Sequence, residues 1–332
     1  MATIREVAVK AGVSIATVSY VLNGSRRVRP QTEQRVLWAA RELGYAPNSA
    51  ARSLVIGRSS IVGLVVPDIG NPFFPEITKS FQESAAMAGL ETMVMNTNYD
   101  VERTRNAVDR LVNLQVPGAA FLTSQVAREV RESLAGKGVG AVYLDHGVTA
   151  ARISNIALDY AHGIRAAVNH LLELGHKRLG FIGGPMHGTS AQHRKQAFLE
   201  AAATEPGVEV RVIDSDFSIQ GGYFSCSKLL NVFSATGIVA ANDLMGIGAM
   251  HCAYDRQISV PGQLSIIGFD DITFAQFTQP ALTTVSVPRV EVGRLVFQAL
   301  HALISDPAQA GKEYDVKTTL IVRQTTAPPP KT

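Results

Sequence analysis

Residues 3–23 read Thr3-Ile-Arg-Glu-Val-Ala-Val-Lys-Ala-Gly-Val-Ser-Ile-Ala-Thr-Val-Ser-Tyr-Val-Leu-Asn23, and their periodicity decides the first domain. Thr3 and Glu6 fit a capping box, each side chain satisfying a backbone N–H that an opening helix leaves free. Ile4, Val7, Ala8 and Ala11 then recur at the spacing of one buried helix face. Gly12 interrupts, and Ser14 is placed to cap a second helix. In that helix Val18, Val21 and Leu22 form the inward stripe, leaving Ile15, Ala16, Ser19 and Tyr20 outward. A third helix is expected from Pro30, burying Val36, Ala40 and Leu43 and stopping at Gly44. Three short helices joined this way form a helix-turn-helix, whose second helix enters the major groove.

Charge supports a polyanion at this end of the chain. Residues 1–60 hold nine Lys/Arg against three acids, a balance of +6, whereas the whole 332-residue chain carries only +3. The remaining residues are therefore net acidic, so the basic character is confined to one end. Hydrophobic residues make up 46% of the chain and charged residues 18%, enough for a sizeable core in two or three domains. No 18-residue apolar run and no secretory leader are visible, so a cytoplasmic protein without a membrane partner is expected. Cys226 and Cys252 read as two buried thiols.

The headpiece resembles that of the lactose-repressor (LacI/GalR) family. The resemblance rests on Thr3-Ile-Arg-Glu-Val-Ala, Ala11-Gly-Val-Ser, Ala16-Thr-Val-Ser-Tyr-Val-Leu-Asn23 and Leu43-Gly-Tyr-Ala-Pro-Asn48. It continues to the C-terminal strands. It implies base-edge contacts from Ile15, Ala16 and Tyr20, and phosphate contacts from Thr17, Ser19 and Asn23. Where the family often has Arg, this chain has Tyr20. A phenol offers one hydroxyl and a ring in place of a bidentate guanidinium, so operator preference should differ.

Residues 1–46 are thus expected to be the headpiece, and 47–60 a hinge. Pro47-Asn-Ser-Ala-Ala-Arg-Ser-Leu54 has the length of about two helical turns, too short to hold a helix alone. The resemblance implies that two such hinges pair in a dimer on the minor groove, Leu54 wedging into the central base step.

From Ile61 the pattern changes to apolar runs alternating with amphipathic stretches. Strands are expected at 61–66, 90–95, 118–122, 139–144, 178–182, 208–213, 237–241 and 265–269. Helices are expected at 75–88, 102–114, 163–174 and 191–203. Such alternation builds parallel sheets covered by helices on both faces. The resemblance implies a bilobed, periplasmic-binding-protein-like α/β domain over 61–332 with two doubly wound sheets. Its N-lobe would comprise about 61–157 and 287–318, and its C-lobe about 158–286 and 319–325. The ligand site is expected between the lobes, at the carboxyl ends of strands.

Family-like signatures here are Val66-Pro-Asp-Ile-Gly-Asn-Pro-Phe-Phe74, His170-Leu-Leu-Glu-Leu-Gly-His176, Phe181-Ile-Gly-Gly-Pro185, Ala241-Asn-Asp243, Gly268-Phe-Asp-Asp271 and Leu282-Thr-Thr284. Matched residue by residue, they imply an effector pocket containing Phe73, Asp145, Arg194, Phe217, Asn242 and Asp270. Carboxylates, a guanidinium and an amide suit adjacent hydroxyls, and aromatic rings suit the apolar faces of a sugar. The alternative for Asp145 and Asp270 is helix capping, and for Phe73 a place in the core. Two residues depart from the family pattern: His146, where Arg is common, and Arg289, where an apolar residue is usual. If Arg289 converged with Arg194, a sugar acid or sugar phosphate would fit as well as a sugar. Otherwise Arg289 points to solvent or to a dimer interface.

The exclusions sharpen the reading. His170 and His176 are six residues apart, so no i, i+4 pair forms, and neither a metal nor a cofactor is expected. Gly183-Gly-Pro lacks the Lys-Ser/Thr of a phosphate loop. Ser225-Cys-Ser-Lys228 lacks the companion motifs of a serine acyl enzyme and lies in a predicted helix, so no catalysis is expected. The C-terminal Pro328-Pro-Pro330 precludes a tetramerising coiled coil. The expectation is a homodimeric regulator, probing duplex DNA with its headpieces and a small effector with its cleft.

Overall fold

The computed structural model describes residues 2–22, 28–45, 59–123, 126–186 and 188–331. They fall into two compact units, Met1–Ser60 and Ile61–Thr332. Asn23, Leu54 and the expected hinge helix lie outside the described residues.

In the first unit the helices are α1 (Ile4–Ala11), α2 (Ile15–Leu22) and α3 (Pro30–Glu42). The capping box forms: Thr3 N–H donates to Glu6 Oε2 (2.7 Å) and Glu6 N–H to Thr3 Oγ1 (3.4 Å). Gly12 ends α1 at φ 62°, a left-handed conformation that glycine adopts without a Cβ penalty. Ser14 Oγ accepts from Thr17 N–H (3.1 Å) and opens α2. Val7, Ala8, Ala11, Val18, Val21, Val36, Ala39 and Ala40 form the buried core. Leu22 and Leu43, expected inside, are partly buried at its edge. Sequence periodicity did not reveal Arg35, whose Nε donates to the Ala11 carbonyl (3.1 Å) and whose Nη2 donates to that of Gly12 (3.2 Å). That guanidinium fastens the turn between α1 and α2 to α3.

The second unit is two sheets. One contains β1 (Ile61–Val66), β2 (Glu91–Asn96), β3 (Gly118–Phe121), β4 (Gly140–Leu144), β5 (Ile153–Leu158) and β11 (Glu313–Val316), in the order β11-β5-β4-β3-β1-β2, all parallel. Helices α4 (Phe73–Met87), α5 (Val101–Asn113), α6 (Arg128–Gly136) and α11 (Arg289–Ser305) cover it. The other sheet holds β6 (Arg178–Gly183), β7 (Glu209–Asp214), β8 (Gly237–Ala240), β9 (Ser265–Asp270), β10 (Thr283–Ser286) and β12 (Thr319–Ile321). Its order is β12-β10-β9-β8-β6-β7, with only β12 antiparallel. It is covered by α7 (Tyr160–Glu173), α8 (Thr189–Ala202), α9 (Ile219–Val232) and α10 (Asp243–Asp255).

Successive residues of β1 face opposite sides. Val62, Leu64 and Val66 pack with Phe81 and Phe297 of α4 and α11, while Val65 packs with Leu111, Phe121 and Tyr143. The first of these cores continues into the other lobe through Leu158, Tyr160 and Val287. The chain passes between sheets three times: after β5, after β10 and after β11. Gly163 is at the meeting point, since a Cβ there would lie 2.4 Å from Val285 and 2.6 Å from Thr318 on the other two passages.

Cys226 and Cys252 are free and buried. His176 is buried with Nδ1 on Thr236 Oγ1 and Nε2 on the Ala327 carbonyl, both at 2.9 Å, and His170 meets Thr326 Oγ1 at 3.0 Å. The two histidines therefore pin the C-terminal segment to this lobe. Among the described residues no helix is long and apolar enough to cross a membrane, and no His/Cys/Asp/Glu group could hold a metal ion.

Candidate nucleic-acid interface and interlobe cleft

At 100° per residue, positions 15, 16, 19 and 20 of α2 share one face. Ile15 is 44% and Tyr20 54% exposed, and Ala16 is exposed beside them, while Val18 and Val21 fill the core behind. Apolar and aromatic side chains are thus left exposed on a helix whose other face is packed. Ser19 and Thr17 are half-buried, and Thr17 Oγ1 lies 2.9 Å from Ser14 Oγ, within the helix cap.

In the second unit a small cavity of about 70 Å³, partly open to solvent, lies between the lobes. Its walls come from the carboxyl ends of strands: Asn71 and Phe73 after β1, Thr123 after β3, Asp145 after β4, Phe217 after β7, Asn242 after β8 and Asp270 at the end of β9. Both sheets reverse strand order here, between β3 and β1 and between β8 and β6. Loops diverge at such a point and leave a crevice.

Arg194, on α8, is the centre of the cleft. Its guanidinium lies 4.5 Å from the ring centroids of Tyr160 and Phe269 and 5.7 Å from that of Phe217. Nη2 is 3.5 Å from Asp270 Oδ1, and both side chains are more than nine-tenths buried. Arg194 Nε and Asp270 Oδ1 nevertheless lack a hydrogen-bond partner among the described residues. Burial pushes the Asp270 carboxyl up to about 7, against the pull of Arg194 and Arg289. Two unsatisfied buried polar atoms are costly, and a ligand hydroxyl that met both would remove that cost.

Asp145 stands at φ 57° with Oδ1 accepting from Leu158 N–H (2.8 Å) and Oδ2 from the Tyr160 hydroxyl. It thereby ties β4 to the first passage between lobes, and burial raises its carboxyl to about 6. Asn242 caps α10 by accepting from Met245 N–H (2.9 Å), and its Nδ2 donates to the Phe217 carbonyl (3.0 Å). Its amide is thus committed to holding Phe217, whose ring lies against Gly184 so closely that a Cβ there would be 2.2 Å from Cζ. Phe73 is buried at the start of α4 with its ring edge-on to Phe74.

Arg289 does not join Arg194. Its Nε donates to Glu76 Oε2 at 2.9 Å and its Nη1 to the Asp270 carbonyl, and it is absent from the cavity wall. The paired guanidiniums considered for an anionic effector therefore do not form: each cation already faces a carboxylate of the chain. His146 packs on Tyr143 and Arg131 and does not line the cleft. Tyr99 and Tyr160 do line it, and neither was read from the sequence. Tyr160 follows the cap residue Asp159 at the expected lobe crossing, the one signal that pointed there. Tyr99 sits in a turn at φ 57°, with no periodicity to mark it.

Residues 3–48 match the family described as bacterial regulatory proteins, lacI family, and residues 168–326 match a periplasmic binding protein-like domain. The chain is 35% identical to the ribose operon repressor of Halalkalibacterium halodurans over 98% of this chain and 97% of that one. It superimposes on the lac repressor dimer bound to operator and the anti-inducer ONPF with TM-score 0.87 and 27% identity, covering 98% and 99% of the two chains. A LacI family transcriptional regulator from Enterococcus faecium with bound ribose matches 81% of this chain and 99% of its own, at TM-score 0.73 and 28% identity. By these matches the chain belongs to the lacI family of bacterial regulatory proteins and is a DNA-binding transcriptional regulator, not an enzyme.

Proposed function

We propose that the chain is an operator-specific repressor that binds a pseudopalindrome as a homodimer in the cytoplasm, controlled by a small neutral polyhydroxylated effector in the interlobe cleft. Ile15, Ala16 and Tyr20 would read base edges, with Thr17, Ser19, Asn23 and Leu54 contributing backbone and minor-groove contacts. The observation that carries the effector reading is the buried Arg194–Asp270 pair, whose Arg194 Nε and Asp270 Oδ1 have no hydrogen-bond partner among the described residues, in a cavity also lined by Phe73 and Phe217. A sugar presents adjacent hydroxyls that donate and accept at once, and an apolar ring face. A sugar acid or phosphate would bring charge to a cleft holding Asp145 and Asp270 against one matched guanidinium, so the neutral compound is favoured. The ribose named for two relatives makes a pentose the first compound to try.

Binding reaches the DNA through lobe orientation. An effector preferring one interlobe arrangement shifts that equilibrium by its differential affinity, and the arrangement sets the spacing of the segments leading to the headpieces. The test is selection of bound sequences from random duplex DNA, repeated with neutral sugars, sugar acids and sugar phosphates. A palindromic site whose yield changes with a neutral sugar supports the reading, and no enriched site under any condition overturns it. With ~6–10 phosphate contacts per dimer, affinity for that site should fall roughly 10³–10⁵-fold between 50 and 200 mM salt. Binding indifferent to salt would remove the headpiece from the account.

The cleft carboxyls predict a proton linkage. Asp145 and Asp270 sit at about 6 and about 7 in the free protein, against an ordinary value of 3.8. Their contribution to stability is therefore fully present below that ordinary value and is lost as pH rises through about 6 and about 7. Effector hydroxyls donating to them favour the ionised forms. D-ribose binding near pH 6.5 should thus release protons and tighten as pH rises to about 7. Calorimetry in two buffers of different ionisation heat checks this, and identical heats would contradict it.

A further inference from the structure

Glu76 stands on the first turn of α4, in the lobe that contains β1. Its Oε1 accepts from Thr273 Oγ1 at 2.7 Å, and Thr273 belongs to a short 3₁₀ helix, Thr273–Phe277, of the other lobe. Its Oε2 accepts from Arg289 Nε at 2.9 Å. Arg289 opens α11 immediately after the second passage between lobes, and its Nη1 donates to the Asp270 carbonyl of the other lobe. Two side chains of one lobe thus grip two residues of the other. Burial alone would push the Glu76 carboxyl up, but its bonds to Thr273 and Arg289 outweigh that and hold it below its ordinary value.

The grip is built on a rigid support. Ser80 Oγ donates to the Val290 carbonyl at 2.6 Å, and a Cβ on Gly293 would lie 2.4 Å from the Ile77 carbonyl, so α4 and α11 hold each other in fixed register. What is gripped is strained. Asp270 has φ 107° and Asp271 φ 55°, conformations that non-glycine residues hold only where their surroundings impose them. Arg323 Nη2 holds Asp271 Oδ1 at 2.6 Å and Asp243 Oδ2 accepts from Ile272 N–H at 2.7 Å, both from within that lobe. Arg289 adds a bond to the Asp270 peptide itself, and it does so from the other lobe.

We propose that Glu76 and Arg289 form an interlobe latch that holds Asp270 in its effector-accepting conformation, making both of them positioning residues for the cleft. The effector part of this rests on the cleft reading above; the latch itself does not. When the lobes separate, the Asp270 carbonyl and Thr273 lose their partners together, so lobe orientation and the aim of the Asp270 carboxylate change as one event. A residue that never touches the effector then sets its affinity.

The experiment is hydrogen exchange on the full-length protein without effector. Arg289→Met and Glu76→Gln should each speed exchange in residues 270–277 about tenfold, with β1 and β6 unchanged. The double variant should exceed neither single variant by much, because both remove the same latch. Arg289→Lys, which can still donate to the Asp270 carbonyl, should recover most of the protection. Unchanged exchange at 270–277, additive effects, or faster exchange spread evenly over the unit would overturn the latch. In a parallel titration with D-ribose, Arg289→Met should weaken binding about tenfold. Ribose binding unaffected by a broken latch would sever it from effector control. A wild-type protein that binds no neutral sugar would instead defeat the cleft reading, while the exchange pattern still decides the latch.

Discussion

Arg194→Met is expected to abolish the effector response while leaving operator binding in place. The side chain is enclosed by Tyr160, Phe217 and Phe269 and faces Asp270, so among the described residues it is the one cation available to hydroxyls in the cleft wall. Hydrogen bonds to a charged group contribute about 1.5–3 kcal/mol each, so losing the guanidinium should weaken a bound sugar by roughly 10²-fold or more. Methionine preserves much of the packing, and the aromatic walls remain filled. The Asp270 left behind does not persist as a bare buried charge. Its carboxyl already lies at about 7, and without Arg194 it takes up a proton, which limits the loss of stability. Arg194→Lys should rescue little, because an ammonium lacks the planar fork that stacks between rings. Calorimetry with D-ribose and operator titration of the same variant provide the check. Ribose affinity within a factor of about three of wild type would remove Arg194 from the effector site.

Val18→Asp is expected to eliminate operator recognition without disturbing the cleft. Val18 is fully buried, one of eight small apolar side chains that form the buried core of the headpiece among the described residues. An ionised carboxylate there has no partner, and its effective penalty is several kcal/mol. A unit of this size holds only a few kcal/mol of stability, so it cannot absorb that cost. Specific affinity should then fall by ~10³ or more, toward the level of sequence-independent binding. The second unit has its own core, so ribose binding and the stability of residues 61–331 should stay at wild-type levels. Retention of operator affinity within about tenfold would show that this core does not hold the reading helix.

The order of elements was legible because periodicity is a local property. Thr3 and Glu6, Gly12 and Ser14 mark the helix ends by groups that act within four residues of themselves, and the structure shows those caps. Eight apolar runs after residue 60 correspond to strands for the same reason; six are buried inside the parallel sheets, while β2 and β7 are partly exposed edge strands. Strands β5, β10, β11 and β12 escaped the reading. Ser154-Asn155 interrupts one, Thr283-Thr284 opens another, and β11 and β12 are short edge strands with few apolar positions.

The cleft was legible only as a set of residue types carried over by resemblance. Phe73, Asp145, Arg194, Phe217, Asn242 and Asp270 all line one cavity. What each does there follows from partners far away in the chain. Asn242 spends its amide on Phe217, Asp145 ties β4 to Tyr160, and Arg289 turns to Glu76. Arg289 and Glu76 are 213 residues apart, and nothing in either neighbourhood names the other. By itself, then, the chain's pattern of caps, stripes and apolar runs determined a helix-turn-helix followed by an α/β domain of parallel strands, because those signals depend on neighbours within a turn or a strand. Only the tertiary structure decided which charges are matched, which polar atoms are left for a ligand and which side chains join the lobes, because charge pairing and burial depend on distances that the order of residues does not contain.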